Sequence, residues 1–344
     1  MRQTYRFAVY ALLALLPVAA NAQRDSAASR APRELPLSVT KPLRFTTDEG
    51  TWLSLDLSPD GKTIVFDLLG DLYTLPIAGG KATRLTSGQA FDSQPHWSPD
   101  GKTIVFVSDR SGTDNLWLVN ANGSGARALT REDARTFISP TWSPDGKYVV
   151  VSRNGAGAGY NLFMYHKDGG TGLQITTSPA ANAPFATSNY VGAAFGNDPR
   201  YIYSAVRTAA GGGYNQTSLN WQIGVYDRKT GKTFVRTQAV GSGMRPELSP
   251  DGKWLVYATR RDSLTALRIR DLATGDERWL APNVQRDDQE SRYSRDLLPP
   301  FSFTPDSKAV IIAHHGKIWH IGVADGAQTM IPFSADVDQM IAGA

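Results

Sequence analysis

The sequence predicts an all-β protein, a six-bladed β-propeller of four-stranded antiparallel blades, and three observations lead to it. A Ser/Thr-Pro-Asp-Gly/Ser turn, counted with one degraded copy, recurs at intervals of 40 to 55 residues. Apolar and polar residues alternate after each turn, which is typical of half-buried strands. No copy has the 3.6-residue apolar stripe of a helix. Lone four-stranded sheets cannot bury both faces, and repeats of this period bury them by packing radially.

The repeat unit is clearest in its second copy, HWSPDGKTIVFVSDRSGTDNLWLVNANGSGARALT, at 96–130. In the turn, Pro presets φ, Asp can accept hydrogen bonds from backbone amides, and Gly tolerates the geometry that closes the turn. The segments ending at Trp97 and then KTIVFVS, LWLVN and ARALT read as four short strands. Six copies follow from the turn aspartates and one degraded equivalent, which are Asp60, Asp100, Asp145, Asp198 (degraded), Asp251 and Asp306.

The first 40 residues lie outside the repeats. Residues 1–22 combine a basic start, an apolar run and Ala20-Asn21-Ala22, which predicts a signal peptide cleaved before Gln23. The apolar run is shorter than the ~20 residues that span a bilayer, so we expect no transmembrane segment after cleavage. Residues 23–40 read as a flexible leader, and 41–344 as the propeller. The predicted location is therefore periplasmic or secreted.

The composition argues against a disulfide-stabilised protein and against a nucleic-acid-binding protein. The chain has no cysteine, so an exported domain must be stabilised by core burial without disulfides. Of its 36 Lys and Arg residues, two lie in the predicted signal peptide, and 32 acidic residues balance the rest. Because no Lys/Arg cluster suggests a face that follows phosphates, we expect no nucleic acid partner.

The run P-x-W-S-P-D-G-K, then F-x-S-D-R-x-G and L-W in the second copy, resembles the WD40-like Pro-Asp repeat of TolB-type β-propellers. The resemblance covers about residues 43–333. It implies an exported propeller that binds partner proteins of the cell envelope. TolB-type proteins carry a separate α/β domain before the propeller, whereas only a short polar leader stands there in this sequence.

A closer resemblance is to the N-terminal propeller portion of large exported amidohydrolase-type proteins. The stretches that carry it are PLRFTTDEGTWLSLDLSPDG near the start and IPFSADVDQMI near the end of the repeats. The chain is also similar in kind to tricorn and prolyl-oligopeptidase proteins, in which a propeller guards a separate peptidase domain. These resemblances imply that the chain is part of a hydrolase whose catalytic domain it lacks.

No catalytic or cofactor motif is present. Gly-x-Ser-x-Gly, His-Glu-x-x-His, His-x-His and a Walker loop are all missing, so we predict no catalytic residues, no metal and no cofactor. His314, His315 and His320 lie near one another in the last copy but lack metal-site spacing, and we interpret them as an incidental hairpin cluster. A propeller that is itself catalytic is less favoured, although propeller enzymes often scatter their residues across blades.

Two glycine-rich stretches, NGAGAGYN at 154–161 and AAGGGYN at 209–215, lead into strands, whereas a phosphate loop leads into a helix. We interpret them as hairpin tips. Tyr160, Asn161, Tyr214 and Asn215 at their ends are candidate contact residues on one rim, because aromatic residues beside adaptable loops are typical of binding faces.

The strand before each turn supplies candidate residues for the central channel. One residue before the turn serine or its equivalent, every copy has a large apolar residue, which we expect to wedge between blades. Strand neighbours point to opposite faces, so the preceding residue should line the channel. The channel candidates are Asp56, His96, Thr141, Glu247 and Ser302, with Arg245 nearer the rim. A polar wall with no specific ligand is the alternative.

Three segments carry further expectations. LRFTT at 43–47 should pair beside the strands of the last copy and latch the ring. SADVDQMIAGA at 334–344 follows the last strand with no evident closing element, and QRDDQESRYSRD at 285–296 reads as a solvated loop.

The sequence thus favours an exported, non-catalytic binding or scaffold module for a protein or small-molecule partner. The rival is the propeller part of an amidohydrolase- or peptidase-type hydrolase.

Overall fold

The computed structural model describes residues 41–155, 158–177, 190–208, 221–289 and 295–341. These residues form 27 strands, and no helix occurs among them. Twenty-four strands build six four-stranded antiparallel sheets, as predicted from the repeats. Within the same ranges no helix has the length and apolar content needed to cross a membrane. The predicted signal peptide and leader lie outside the described residues.

Each sheet takes its four strands from one repeat, in chain order. Sheet 1 contains β2 (Leu55–Leu57), β3 (Thr63–Leu68), β4 (Asp71–Pro76) and β6 (Thr83–Arg84). Sheet 2 contains β7 (Asp92–Trp97), β8 (Thr103–Ser108), β9 (Asn115–Asn120) and β10 (Arg127–Ala128). Sheet 3 contains β11 (Phe137–Trp142), β12 (Tyr148–Gly155), β13 (Ala158–His166) and β14 (Leu173–Gln174).

The second half of the chain repeats this arrangement. Sheet 4 contains β15 (Tyr190–Phe195), β16 (Tyr201–Arg207), β17 (Trp221–Asp227) and β18 (Lys232–Val235). Sheet 5 contains β19 (Met244–Leu248), β20 (Trp254–Arg261), β21 (Leu264–Asp271) and β22 (Glu277–Ala281). Sheet 6 contains β23 (Ser302–Phe303), β24 (Ala309–His314), β25 (Lys317–Gly322) and β26 (Gln328–Ile331).

The repeated aspartate closes the turn between the first and second strands. Asp100 Oδ1 accepts hydrogen bonds from Ser98 Oγ at 2.6 Å and from the Lys102 amide at 3.1 Å. The Ser98 hydroxyl is the main reason that the pKa of Asp100 lies below its usual value. In the degraded copy, Asp198 still accepts a hydrogen bond from the Arg200 amide at 2.9 Å. The motif that defines the repeat is therefore a turn, and its carboxylates serve the fold.

The large apolar residue before each turn packs between sheets, as predicted. Trp97 of sheet 2 belongs to one buried cluster with Val65 and Leu72 of sheet 1 and with Ile104 and Phe106 of its own sheet. Each first strand contacts the first strand of the next sheet, and β23 of sheet 6 contacts β2 of sheet 1. The core therefore consists of successive layers between neighbouring sheets.

A three-stranded sheet joins the two ends of the repeat region. β1 (Lys41–Thr47) pairs antiparallel with β27 (Phe333–Ile341), and β27 pairs in parallel with β5 (Gly80–Lys81). Buried Val337 packs in one cluster with sheet 1 residues such as Tyr73. The predicted pairing of LRFTT is thus made with the strand that follows sheet 6, not with the strands of that sheet. The expectation that no closing element follows the last repeat is wrong, because residues 334–341 belong to that strand.

Candidate functional site

Five polar residues lie together at the inner ends of the first strands, on the side of the Pro-Asp turns. We call them the turn-side layer: Asp56 (β2), His96 (β7), Thr141 (β11), Glu247 (β19) and Ser302 (β23). Ala194 of β15 holds the equivalent position in sheet 4. Four of the five are linked by hydrogen bonds or an ion pair that cross from sheet to sheet.

Asp56 is the centre of this layer, and its side chain is 8% exposed. Its Oδ1 accepts hydrogen bonds from Ser302 Oγ of sheet 6 and from the Leu57 amide at 2.9 Å. Its Oδ2 accepts a hydrogen bond from the Trp97 amide of sheet 2 at 2.7 Å. One carboxylate thus ties sheet 1 to both neighbours. Both oxygens of this channel candidate thus already accept hydrogen bonds from buried donors.

His96 is more open, with a side chain that is 25% exposed. Its Nδ1 lies 3.2 Å from Asp56 Oδ2 and 3.1 Å from the Trp97 carbonyl oxygen. Two acceptors facing Nδ1 assign a proton to that nitrogen. Its Nε2 lies 3.3 Å from Thr141 Oγ1 of sheet 3. His96 of sheet 2 is therefore paired with Asp56 of sheet 1 and lies within hydrogen-bond distance of Thr141 of sheet 3.

Glu247 differs from its neighbours in this layer, because it has no hydrogen-bond partner among the described residues. Burial raises the pKa of its carboxyl to about 8; the nearby Arg245 opposes this shift and the charge of Asp56 adds to it. A half-buried carboxyl with a raised pKa and unused oxygens can bind a cationic or hydrogen-bond-donating group. It is the member of the layer with the greatest unused capacity for binding.

A bulge separates this layer from a second one in the same strands. The strand register shifts between Ser93 and His96 in sheet 2, and the same shift occurs in sheets 3, 4 and 5. At each shift one residue has positive φ: Gln94 at 54°, Ser139 at 55°, Gly192 at 68° and Arg245 at 45°. Bulges re-aim side chains. Arg245, which the sequence placed with the channel candidates, is buried in this second layer.

We call the second set the hairpin-side layer: Asp67, Gln94, Ser139, Arg245 and Asp296. Asp67 Oδ1 accepts a hydrogen bond from the Ser54 amide at 2.7 Å, and its Oδ2 accepts one from the Gln94 amide at 2.9 Å. Gln94 Oε1 accepts a hydrogen bond from the Ser139 amide at 2.6 Å. Burial raises the pKa of Asp67 to about 6, although these amides favour its charged form. The layer therefore links sheets 1, 2 and 3 through side chain to backbone hydrogen bonds.

Asp296 completes the hairpin-side layer from outside the strands. It is 1% exposed, and its Oδ2 accepts hydrogen bonds from Ser139 Oγ of sheet 3 and from Arg245 Nη1 of sheet 5 at 2.6 Å. A Cβ on Gly192 of sheet 4 would lie 3.0 Å from this oxygen, so glycine allows the close approach. The segment before β23 thus inserts a carboxylate among three sheets.

Sequence reasoning missed Asp296 and Asp67. The interpretation of 285–296 as a solvated loop is wrong at two positions, since Asp296 is buried and Asp287 is buried in an ion pair with Arg260 at 2.6 Å. Two features of the sequence could have indicated this buried ion pair. One is the charged stretch 285–296 before the first strand of sheet 6, and the other is Arg245, which stands at the position of Gln94.

The two rim candidates that the structure describes, Tyr160 and Asn161, are buried. Tyr160 is 1% exposed and belongs to the core, and Asn161 Oδ1 accepts a hydrogen bond from Thr176 Oγ1 at 3.2 Å. Asn115 in sheet 2 accepts the equivalent bond from Thr130, so this position serves the repeat. The prediction for Tyr160 and Asn161 is corrected by their burial. Tyr214 and Asn215 lie outside the described residues.

Two of the three histidines of the last repeat, His314 and His315, form a pair, and one of them stacks on a tryptophan. His314 Nδ1 lies 2.8 Å from His315 Nδ1, and the His314 ring stacks on Trp319 with 5.0 Å between centroids. Burial lowers the pKa of His314 to about 4, so the ring is neutral at pH 7. No group of three or more metal-ligating side chains occurs in the part of the chain that the structure describes.

Comparisons with known proteins agree with this architecture. Residues 42–201 match the family model described as TolB beta propeller domain. The chain is 35% identical over 75 residues to a protein TolB homolog of Chlorobium chlorochromatii, a match that covers 22% of this chain and 17% of that protein. It is 31% identical over 77 residues to an uncharacterized protein of Agrobacterium fabrum, covering 21% and 26%. The matches thus span about a quarter or less of these curated relatives.

Solved structures share the fold. Putative TolB from Agrobacterium tumefaciens has a TM-score of 0.57 at 18% identity, covering 77% of this chain and 87% of that one. TolB from Acinetobacter baumannii has a TM-score of 0.60 at 17% identity, covering 83% and 65%. The tricorn protease has a TM-score of 0.55 at 12% identity, covering 89% and 36%. At these identities the likeness establishes the fold alone.

Proposed function

We propose that this TolB-like β-propeller is an exported, non-catalytic binding or scaffold module, with its six sheets closed as blades around a central channel. Contacts between consecutive first strands, and between β23 and β2, support closure. The likeness to TolB over residues 42–201 supports a binding role. The predicted signal peptide supports export to the periplasm or beyond.

The observation that carries the proposal is the contrast between Glu247 and the hairpin-side layer. That layer is filled by the ion pair of Asp296 with Arg245 at 2.6 Å, whereas Glu247 and His96 on the turn side are partly exposed. A ligand or a partner's inserted segment would enter from the turn side. The group it presents would be cationic or rich in hydrogen-bond donors, because either kind of group favours the ionised form of Glu247, which only accepts hydrogen bonds.

The test is affinity capture from the periplasmic fraction with the immobilised mature protein. We expect a partner retained by the wild type to be lost by the double variant His96→Ala, Glu247→Gln. The matched control is Lys102→Ala, which changes an exposed side chain on the turn of sheet 2. Equal retention by the double variant and the wild type would contradict a turn-side binding site.

Export is tested separately by N-terminal sequencing of the protein recovered outside the cytoplasm. Cleavage by signal peptidase predicts a mature chain that begins at Gln23. Recovery of uncleaved, membrane-bound protein would contradict export as a free module.

A second candidate function is the propeller part of an amidohydrolase- or peptidase-type hydrolase. The likeness to the tricorn protease favours it, since the match covers 89% of this chain but 36% of that protein. Sequencing the gene beyond the codon for Ala344 distinguishes the two candidates. An in-frame continuation with a His-x-His stretch would favour the amidohydrolase type.

A further inference from the structure

Sheet 5 has charged residues where the other sheets have apolar ones. Strand pairing aligns Arg268 with positions held elsewhere by Tyr73, Trp117, Phe163, Gly224 and Trp319. The same pairing aligns Arg270 with Leu75, Val119, Tyr165, Tyr226 and Ile321. The face that carries both arginines is the one that packs toward sheet 4, through Leu255 and Tyr257. In sheet 5, two positions that face the neighbouring sheet therefore carry arginines, whereas the other sheets have no charged residue there.

These arginines line a groove of about 390 Å³ between sheet 5 and the segment 238–241. Arg260, Arg261, Arg268 and Arg270 line it together with one carboxylate, Glu277.

Arg268 Nη2 and Arg270 Nη1 share Glu277, at 3.2 and 2.8 Å from its two oxygens. Arg260 is paired with Asp287. Among the described residues, the four arginines of the groove thus face two carboxylates, Glu277 and Asp287.

Arg261 has no carboxylate partner among the described residues. Its guanidinium lies over the Trp279 ring, 5.0 Å from the centroid, and Arg268 lies 4.9 Å from the same ring. Cation–π contact holds a guanidinium in place without neutralising it. Trp279 therefore positions two cations at the groove, and its ring face neutralises neither of them.

The rim of the groove is apolar. Val240 is 89% exposed and Trp279 is 39% exposed, and both line it. Arginine and tryptophan are the residues most enriched at energetic hot spots of protein interfaces. An exposed aliphatic residue beside them suits a ligand that combines carboxylates with apolar side chains, as a segment of polypeptide does.

We propose that this arginine–tryptophan groove binds an acidic, apolar-flanked segment of a protein partner. The proposal rests on the proposed binding role and adds a second surface to it, of opposite charge to the turn-side layer. A carboxylate of the partner would accept hydrogen bonds from Arg261 and Arg268, in the charge-assisted geometry that arginine favours.

The test uses the labelled peptide Glu-Leu-Glu-Leu-Glu and its Gln-for-Glu counterpart, with the full mature chain, by fluorescence anisotropy at low salt. We expect saturable binding of the Glu peptide, weakened about tenfold or more by Arg261→Glu, because a hydrogen bond to a charged group is lost and a repulsion is added. Trp279→Ala should weaken it as well. The matched control is Lys102→Glu, which makes the same change of charge on sheet 2 and should leave affinity unchanged.

The proposal would be overturned by no saturable binding of the Glu peptide, by equal binding of the Gln peptide, or by equal losses in Arg261→Glu and Lys102→Glu. Tighter binding of a sulfated oligosaccharide, abolished by Arg261→Glu, would overturn the assignment of the ligand as a polypeptide. Loss of peptide binding in His96→Ala, Glu247→Gln with Arg261→Glu unaffected would overturn the groove as the peptide site, whereas the capture experiment with that double variant tests the turn-side site by itself. Failure of the groove and failure of the proposed function are therefore distinguishable.

Discussion

The turn-side and hairpin-side layers come from the same first strands, a few residues apart, yet they differ in how their polar groups are satisfied. In the hairpin-side layer Asp296 and Arg245 meet at 2.6 Å, and Asp67 accepts two backbone amides. In the turn-side layer Glu247 has no hydrogen-bond partner among the described residues, and its pKa is raised to about 8. A buried charged group that meets its counter-charge holds a structure together, whereas a carboxyl left without a hydrogen-bond partner at a partial opening can receive a ligand.

The largest expected effect tests the paired layer. Asp296→Ala leaves the Arg245 guanidinium buried without its carboxylate, and breaking a buried ion pair in this way costs about 3–5 kcal/mol. We expect the free energy of unfolding to fall by that amount in urea denaturation at pH 7. The control is Asp288→Ala, because Asp288 pairs with a half-exposed arginine, Arg295, and its loss should cost far less. Equal losses would show that Asp296 does not hold the layer together.

The next effect concerns the unpaired carboxyl. The pKa of Glu247 is raised in the folded protein, so its contribution to stability is greatest below pH 4.5 and is lost as the pH rises toward 8. Glu247→Gln removes this dependence. The variant should therefore gain stability over the wild type between pH 5 and pH 8, by on the order of 2–3 kcal/mol.

Thermal unfolding of both proteins across this pH range measures the difference. The raised pKa of Asp67 affects both proteins alike and cancels. A difference that does not change with pH would mean that Glu247 titrates normally.

A smaller effect comes from the backbone links. Gln94→Ala leaves the buried Ser139 amide without its acceptor, and an unsatisfied buried donor costs about 1–3 kcal/mol. We expect a loss of about 2 kcal/mol in urea denaturation at pH 7. Gln94→Glu serves as the control because it restores an acceptor oxygen at the same place, and a loss as large as that of Gln94→Ala would argue that the hydrogen bond is unimportant.

The smallest expected effect on stability is at His96. Its side chain is partly open, so His96→Ala should change the free energy of unfolding by roughly 0.5–1 kcal/mol, because a partly exposed hydrogen bond contributes little net stability. Its effect should appear instead in partner retention. A loss as large as that of Asp296→Ala would place His96 with the structural residues and remove the distinction between the two layers.

The turn-side layer could be predicted because it follows from local rules. The Pro-Asp turn fixes the strand end, and alternation then assigns His96 and Trp97 to opposite faces. The hairpin-side layer could not be predicted in this way. The bulge at Gln94 breaks the alternation, and Asp296 meets Arg245 across 51 residues from a charged segment with no periodicity. The prediction that Tyr160 and Asn161 are exposed on a rim was wrong for a related reason. The glycine-rich stretch before them suggested a loop, but strand β13 includes both residues.

The pairing of β1 with β27 has a consequence for the order in which the protein folds. Arg44 Nε donates a hydrogen bond to Asp338 Oδ1 at 3.0 Å, although the two residues are 294 positions apart in the chain. Because a chain is synthesised from its N-terminus, β1 cannot form its hydrogen bonds with β27 until Phe333–Ile341 has been synthesised, however early the separate sheets form. Contacts of such long range are slow to form because a large loop must close first. Among the described strands, the first therefore completes its pairing only after the last has been synthesised.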